Sequence, residues 1–232
     1  MQIAVFGTGI VGQVIANRLA GLGHIVIIGT RDVSQTLART DKGPYGNPPF
    51  AEWLKENNSV QLKTFAAAAS SAEIIFNCTQ GHGSVEAFKL AGNNNINHKI
   101  IVDVSNPLDF SKGFPPSLSI VNTDSLGETL QRTFPETKVV KTLNTMNCFI
   151  MVNPAALPGD HTVFVSGNDT QSKSSVTEIL KSFGWKENNI IDLGDITTAR
   201  GTEQLLPIWV RLYAKLQNGM FNFNVVMAPP AK

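Results

Sequence analysis

Residues 2–12 read Gln2-Ile3-Ala4-Val5-Phe6-Gly7-Thr8-Gly9-Ile10-Val11-Gly12, and this stretch decides the fold. Its first five residues are apolar, β-branched or aromatic except at Gln2, too few for a helix, and Gly7 stops them. They read as a buried strand. A complete G-x-G-x-x-G follows, and the apolar residues Val11, Val14, Ile15, Leu19 and Leu22 then recur at the spacing of a helix with one buried stripe. Gly21 and Gly23 end that helix, and His24 to Gly29 forms a second apolar strand. Strand, glycine turn, helix and strand together fill residues 2–29, the length of a βαβ dinucleotide unit. In such a unit Gly7 permits the tight turn, Gly9 lets the backbone approach a pyrophosphate and Gly12 lets helix and strand pack closely. The unpaired N–H groups of Thr8, Ile10 and Val11, with the positive end of the helix dipole, suit the phosphates.

The end of the second strand decides which dinucleotide is favoured. An NAD site places an acidic residue there for the ribose 2′-hydroxyl, whereas this chain reads Gly29-Thr30-Arg31-Asp32. Gly29 leaves room, Thr30 carries a hydroxyl donor, and the Arg31 guanidinium matches a phosphate. A charge-assisted hydrogen bond of about 1.5–3 kcal/mol would favour NADP(H) over NAD(H) by roughly 10- to 150-fold. Asp32 is the competing candidate for the 2′-hydroxyl, with helix capping as its simpler role.

Further along, Asp41 to Pro49 has loop composition, Phe50 to Glu56 and Ala66 to Ala69 look helical, and Val60 to Leu62 is a short third strand. Glu73–Cys78 and Lys99–Val104 are the fourth and fifth strands, with the asparagines 93–95 marking a loop between them. Thr137–Thr142, Thr162–Val165 and Ile190–Leu193 are the sixth to eighth, and an amphipathic helix at Gln171–Phe183 lies between the last two. A final long helix carries Leu205, Leu206, Trp209, Leu212, Tyr213 and Leu216, and Pro207 should kink it or mark its first turn. Strands alternating with helices imply a Rossmann-type α/β fold, a doubly wound, mainly parallel sheet of about eight strands. Residues 1–145 would form the NADP-binding domain, and 146–232 a small C-terminal α/β portion that extends the sheet and covers the active site. Ligands of such sheets lie beyond the carboxyl ends of the strands. Cys78, Thr79, Gln80, Asn106 and Pro107, at the tips after the fourth and fifth strands, are therefore expected to flank the coenzyme. Asn144, Thr145 and Met146 after the sixth would meet the substrate. Loop or cap roles compete at each of these positions, since topology alone supports the functional reading.

Composition narrows the rest. The 232 residues are 42% hydrophobic and carry 19 Lys+Arg against 18 Asp+Glu, so a disordered chain, a nucleic-acid footprint and a basic membrane surface find no support. Two cysteines, Cys78 and Cys148, are too few for a disulfide framework or a cysteine zinc site and suit a reducing compartment. The amino terminus lacks a secretory pattern and no apolar run could span a bilayer, giving a cytoplasmic expectation. His24, His82, His98 and His161 are scattered without a metal motif, and His82 is the one that falls near the site. No G-x-S-x-G elbow and no Tyr-x-x-x-Lys pair is present, and no catalytic acid or base is identified. Hydride transfer between two rings needs alignment and exclusion of water rather than such groups.

The segments Gly7–Gly12, Ile28–Asp32, Asp103-Val104-Ser105-Asn106-Pro107 and Lys141-Thr142-Leu143-Asn144-Thr145 resemble the coenzyme F420-dependent NADP oxidoreductases. So do Val165–Asp169, Asp192–Asp195 and Ala199-Arg200-Gly201-Thr202-Glu203, so the resemblance covers nearly the whole chain. It implies NADP held by the glycine turn with Thr30 and Arg31, and direct hydride transfer between the nicotinamide and a deazaflavin (F420) or flavin-like acceptor. It also implies a homodimer. Two other readings stand beside it: an imine or carbonyl reductase of the pyrroline-carboxylate type, and a non-catalytic NADPH sensor or partner subunit.

Overall fold

The computed structural model describes residues 1–43 and 46–228, so Pro44 and Tyr45 of the 41–49 loop lie outside the described residues. Among these, eight strands form one sheet: β1 (Gln2–Phe6), β2 (Ile25–Thr30), β3 (Val60–Thr64), β4 (Ile74–Asn77), β5 (Ile100–Asp103), β6 (Lys138–Thr142), β7 (Val163–Gly167) and β8 (Ile190–Gly194). Their order is β8-β7-β6-β5-β4-β1-β2-β3, so β1 and β4 are neighbours and the chain reverses direction across the sheet between them. All pairings are parallel except β6 with β7. The first six strands thus follow the doubly wound dinucleotide order 3-2-1-4-5-6.

Among the described residues, eleven α-helices accompany the strands. Those before β5 are α1 (Ile10–Gly21), α2 (Val33–Leu37), α3 (Phe50–Glu56), α4 (Phe65–Ser71), α5 (Gly81–Ala91) and α6 (Asn93–Ile96). After it come α7 (Leu126–Thr133), α8 (Cys148–Val152), α9 (Thr170–Phe183), α10 (Ala199–Gln204) and α11 (Leu206–Leu216). Alternation along β1 divides the core. Ile3 and Val5 face the layer of α1, α3, α8 and α9, whereas Ala4 and Phe6 face α4 to α7. All four side chains are fully buried, so β1 reads as a continuous apolar run because both of its faces are covered.

Several local expectations change in the fold. Asn93-Asn94-Asn95 is not a loop but opens the single helical turn α6. Gly81-His82-Gly83, directly after the β4 tip, is the first turn of α5, whose two glycines hid a helix from a propensity reading. Pro207 marks the first turn of α11 rather than kinking a longer helix. A small antiparallel ribbon, Leu108–Asp109 with Ser117–Leu118, adds structure that periodicity could not reveal in two-residue pieces. After α11 the chain runs extended beside the start of β7. There the Thr162 N–H donates to the Phe223 carbonyl (2.9 Å), and the Asn222 amide donates to the Thr162 carbonyl (3.0 Å).

Candidate active site

The carboxyl ends of the central strands carry one aligned row, Asn77, Asp103, Lys141 and Ser166, each the register partner of the next. Register partners point to the same face, so the first three side chains meet. Asn77 Nδ2 donates to Asp103 Oδ1 (2.8 Å), and Lys141 Nζ donates to Asp103 Oδ2 (2.8 Å). Glu203 of α10 reaches the same ammonium at 2.7 Å and accepts from the Leu126 and Gly127 N–H groups that open α7 (2.8 and 3.1 Å). Burial would lower the Lys141 pKa, but the Asp103 and Glu203 carboxylates outweigh it and hold the ammonium above its ordinary value. Ser105 completes the floor by donating its hydroxyl to Asp103 Oδ1 (2.6 Å), and Thr79 donates its own to Asn77 Oδ1 (2.7 Å). The network therefore fixes the tips after β4 and β5 from below, and its buried members Asn77, Asp103, Ser105, Lys141 and Glu203 depend on one another for partners.

Above this floor sits the glycine turn. Gly7 has φ +119°, and a Cβ there would lie 2.6 Å from the Cys78 carbonyl oxygen, so the turn after β1 touches the tip after β4. A Cβ on Gly12 would lie 2.1 Å from the Gly7 carbonyl oxygen, which fixes how closely α1 approaches the turn. Gly9 differs, since a Cβ there meets nothing within 4 Å. Its lack of a side chain serves the open groove rather than the protein's own packing. The N-terminus of α1 has no side-chain cap and no acidic residue in its first turn, leaving backbone donors and a positive dipole end for an anion. Gln13, buried in α1, holds the turn by donating to the Thr8 carbonyl (2.9 Å), a role that the motif reading missed.

Four cavities joined by shared walls run along the strand ends. The first, about 180 Å³, includes Thr8, Gly29, Thr30, Arg31, Gln35 and Arg39 in its lining. Arg31 and Arg39 are exposed and offer two cations; sequence reasoning named only Arg31, because Arg39 returns to the site through α2. Thr30 is buried, and its hydroxyl pairs with that of Thr36 (2.7 Å), which donates to the Asp32 carbonyl (2.7 Å). Asp32 caps α2 by accepting from the Gln35 N–H (2.8 Å). The room left by Gly29 is taken by the Phe6 and Phe65 rings, which a Cβ would meet at 2.8 and 3.0 Å.

The second cavity, about 440 Å³, follows the glycine turn from Thr8 and Gly9 past Ile10 to Cys78, Thr79 and Gln80. The third, about 180 Å³, lies between the β4 and β5 tips against Val11, with Cys78, Thr79, Gln80, His82 and Asn106 in its wall. The fourth, about 310 Å³, shares Val11, Val104 and Asn106 with the third. Ile10, Met146, Phe149, Met151, Leu206 and Trp209 give it a largely apolar lining, to which Asn144, Asn147 and Cys148 also contribute. Trp209 is fixed by stacking on Tyr213 (centroids 5.7 Å apart) and Phe221 (5.3 Å).

Asn106 and Asn144 clasp each other across the tips: Asn106 Nδ2 donates to the Asn144 carbonyl and Asn144 Nδ2 to Asn106 Oδ1, both at 2.9 Å. Leu143, at φ +62°, makes the turn that presents Asn144, a left-handed conformation costly for a residue with a Cβ. Thr145 and Pro107 are buried and line none of these four cavities. His82 is exposed at the rim of the second and third. Burial and the Asp103 carboxylate push the Cys78 thiol well up, and burial pushes Cys148 to about 11, so both sulfurs are neutral walls at physiological pH. Among the described residues, no helix is long and apolar enough to cross a membrane.

The sequence profile of the coenzyme F420-dependent NADP oxidoreductases matches residues 2–107. A solved structure from Arthrobacter sp. FB24, provisionally described as an F420-dependent NADP-reductase, is 55% identical. It covers 98% of this chain and 100% of its own, with a TM-score of 0.93. The metalloreductase STEAP3 of Rattus norvegicus is 26% identical over 216 residues; the match takes in 90% of this chain but only 38% of that protein's length. An imine reductase from Aspergillus terreus shares the fold at 15% identity, covering 93% of this chain and 62% of its own, with a TM-score of 0.60.

Proposed function

Since this chain belongs to the coenzyme F420-dependent NADP oxidoreductase family, and is thereby an NADP-dependent oxidoreductase, we propose that it passes hydride between NADP(H) and a planar ring acceptor, a deazaflavin or flavin. The observation that carries this reading is the run of joined cavities, cationic at Arg31 and Arg39 and apolar at Met146, Phe149 and Trp209. The adenosine 2′-phosphate belongs at the cationic end, the pyrophosphate at Gly7–Gly12 and the uncapped N-terminus of α1, and the nicotinamide between the β4 and β5 tips. NADPH held there would supply one hydride to the acceptor ring, and any further proton would reach the ring from solvent at the mouth of the groove.

The protein's own residues contribute placement. Val11 and Val104 line both ring positions and would flank the two rings without separating them, the Asn106–Asn144 clasp fixes the spacing of the tips, and the apolar surface limits water. Reduction of a ketone or imine would call for a proton donor beside the reacting atom. Among the described residues, the fourth cavity has no acidic, basic or phenolic side chain in its wall, and its one thiol is held neutral, which favours a conjugated ring that can spread the incoming charge. Anaerobic oxidation of NADPH in the presence of F420, FMN and FAD tests this. Turnover with at least one ring acceptor is expected; none with any of them, while NADPH still binds, would refute the reading.

A further inference from the structure

One polar group in the wall of the fourth cavity is left without a partner. The Trp209 indole lines the cavity, and its Nε1–H is covered from solvent yet meets no hydrogen-bond acceptor among the described residues. Buried indole N–H groups ordinarily find one. Trp185 shows the usual arrangement, donating its Nε1–H to the Met151 carbonyl at 3.0 Å. Trp209 is held against turning to do the same. Its ring stacks on Tyr213 at an interplanar angle of 5° and on Phe221 at 26°, and a Cβ on Gly219 would come within 3.7 Å of its Cη2. Two carboxamide oxygens of the same wall are spent elsewhere: Asn106 Oδ1 accepts from Asn144 Nδ2 (2.9 Å), and Asn147 Oδ1 accepts from the Phe149 N–H (3.0 Å). An unpaired buried donor burdens the fold, and a ligand that brings an acceptor atom to it removes that penalty.

Resting on the reading of the site as one for hydride transfer to a ring, we propose that the Trp209 Nε1–H donates a hydrogen bond to a carbonyl oxygen or unprotonated nitrogen at the edge of the acceptor ring. That atom is conjugated with the one that receives the hydride. In the transfer a C–H bond of NADPH breaks and its electron pair leaves with the hydrogen, a bond from that hydrogen to the ring forms, and NADP⁺ remains. The ring gains one negative charge, which conjugation carries to its heteroatom edge. The indole N–H meets that charge as it develops. A donor already fixed by stacking does not reorganise at that moment, so it favours the transition state over the neutral ring and acts on rate more than on affinity. Among the described residues the cavity wall carries no cation that could serve instead. Because the N–H is covered by its own wall, a ring that reaches it displaces a neighbouring side chain, and Phe149, 50% exposed at the rim, has space to move. Trp209 thereby selects for rings with a hydrogen-bond-accepting edge.

The test has two arms. The first follows the indole N–H signals of Trp53, Trp185 and Trp209 in proton–nitrogen correlation spectra of isotope-labelled wild-type protein saturated with NADP⁺, as FMN and, separately, F420 are added. Nuclear Overhauser contacts with the Tyr213 and Phe221 rings assign the Trp209 signal without any variant. With an acceptor that the protein turns over, the Trp209 proton should move downfield, as a newly hydrogen-bonded N–H does. Trp185, already paired with Met151, should stay in place. The second arm measures anaerobic NADPH turnover by Trp209→Phe, which keeps an aromatic ring in the stack and removes the N–H. Its kcat should fall by about tenfold or more, the loss of a hydrogen bond to a developing charge, while NADPH affinity changes by less than about twofold. An indole signal that stays put at saturation with a working acceptor would overturn the proposal, and a loss of kcat without that shift would mark Trp209 as packing alone. Turnover by Trp209→Phe within about twofold of wild type would overturn it too, and would leave hydride transfer to a ring intact. A wild-type protein that turns over no ring acceptor would instead refute the underlying reading.

Discussion

Replacing Lys141 by Met keeps the length of the side chain but removes the only cation between Asp103 and Glu203, whose oxygens lie 2.8 and 2.7 Å from it. All three side chains are at most 2% exposed, so water cannot substitute for the ammonium. The native cluster has one positive charge against two negative ones, and the excess is eased by the Leu126 and Gly127 N–H groups at the start of α7. Without Lys141 two carboxylates face a dry site. Breaking a buried ion pair in this way costs about 3–5 kcal/mol. With a urea dependence near the upper end of the range for single domains, about 3 kcal/mol per molar, the unfolding midpoint should fall by about 1–2 M. The deficit should also depend on pH. Protonation of a carboxyl relieves the uncompensated charge in the folded variant, so the loss is largest at neutral pH and shrinks as pH falls toward the ordinary carboxylate range. Glu203→Gln leaves the neutral Lys141–Asp103 pair in place and should cost less than Lys141→Met. Urea unfolding of wild type and both variants at neutral pH and about two units lower decides the matter. A Lys141→Met deficit below about 1 kcal/mol, or one equally large at both pH values, would refute the claim that this ammonium compensates two buried carboxylates.

Arg31→Ala should weaken NADPH binding by about tenfold or more while moving NADH little, and Arg39→Ala should act in the same direction; equal losses for the two coenzymes would remove the 2′-phosphate assignment. At Gly81, where a Cβ would sit 2.1 Å from the Asn106 carbonyl oxygen, substitution by Ala should force α5 away from the β5 tip. A cost of about 2 kcal/mol for that overpacking would lower the thermal midpoint by about 4–8 °C and weaken NADPH binding, both measurable on one purified variant. Asp124 is held below the usual carboxylate range first by its hydrogen bond from Arg132, and Asp169 by its hydrogen bonds from Ser172. Their contributions are present above the unfolded carboxylate value of about 4 and are lost as pH falls through the lower folded values. An acid titration of stability should therefore decline only below about pH 4 on their account, and each Asp→Asn variant should flatten that decline.

Much of the frame could be read directly. The βαβ unit at residues 2–29, eight strands and the helices at 50–56 and 170–183 follow from patterns that repeat within a few residues. Buried parallel strands are continuous apolar runs wherever they sit in the sheet, and a glycine turn between strand and helix has one spacing. Propensity failed where residues act against type. Two glycines begin α5, asparagines form α6, and Leu143 adopts a left-handed turn, because tertiary contacts outweigh a cost of about 1 kcal/mol per residue.

The site divides along the same line. Composition and local spacing determined the fold class, the glycine turn with its helix, and Arg31 at the end of β2. Only the tertiary structure put Arg39 beside Arg31, sealed the Thr30 hydroxyl against Thr36, and gave the space above Gly29 to the Phe6 ring. Only strand register brought Asn77, Asp103 and Lys141 into one row, and only the return of α10 supplied Glu203 from 62 positions further along the chain. The fourth cavity was legible only in part: Asn106, Asn144 and Met146 were expected at the strand tips and do line it, whereas Phe149 and Trp209 join them from separate segments. A sequence records what each residue prefers beside its neighbours. Which distant residues share a wall depends on sheet order and register, and these emerge only when both faces of the sheet are packed at once.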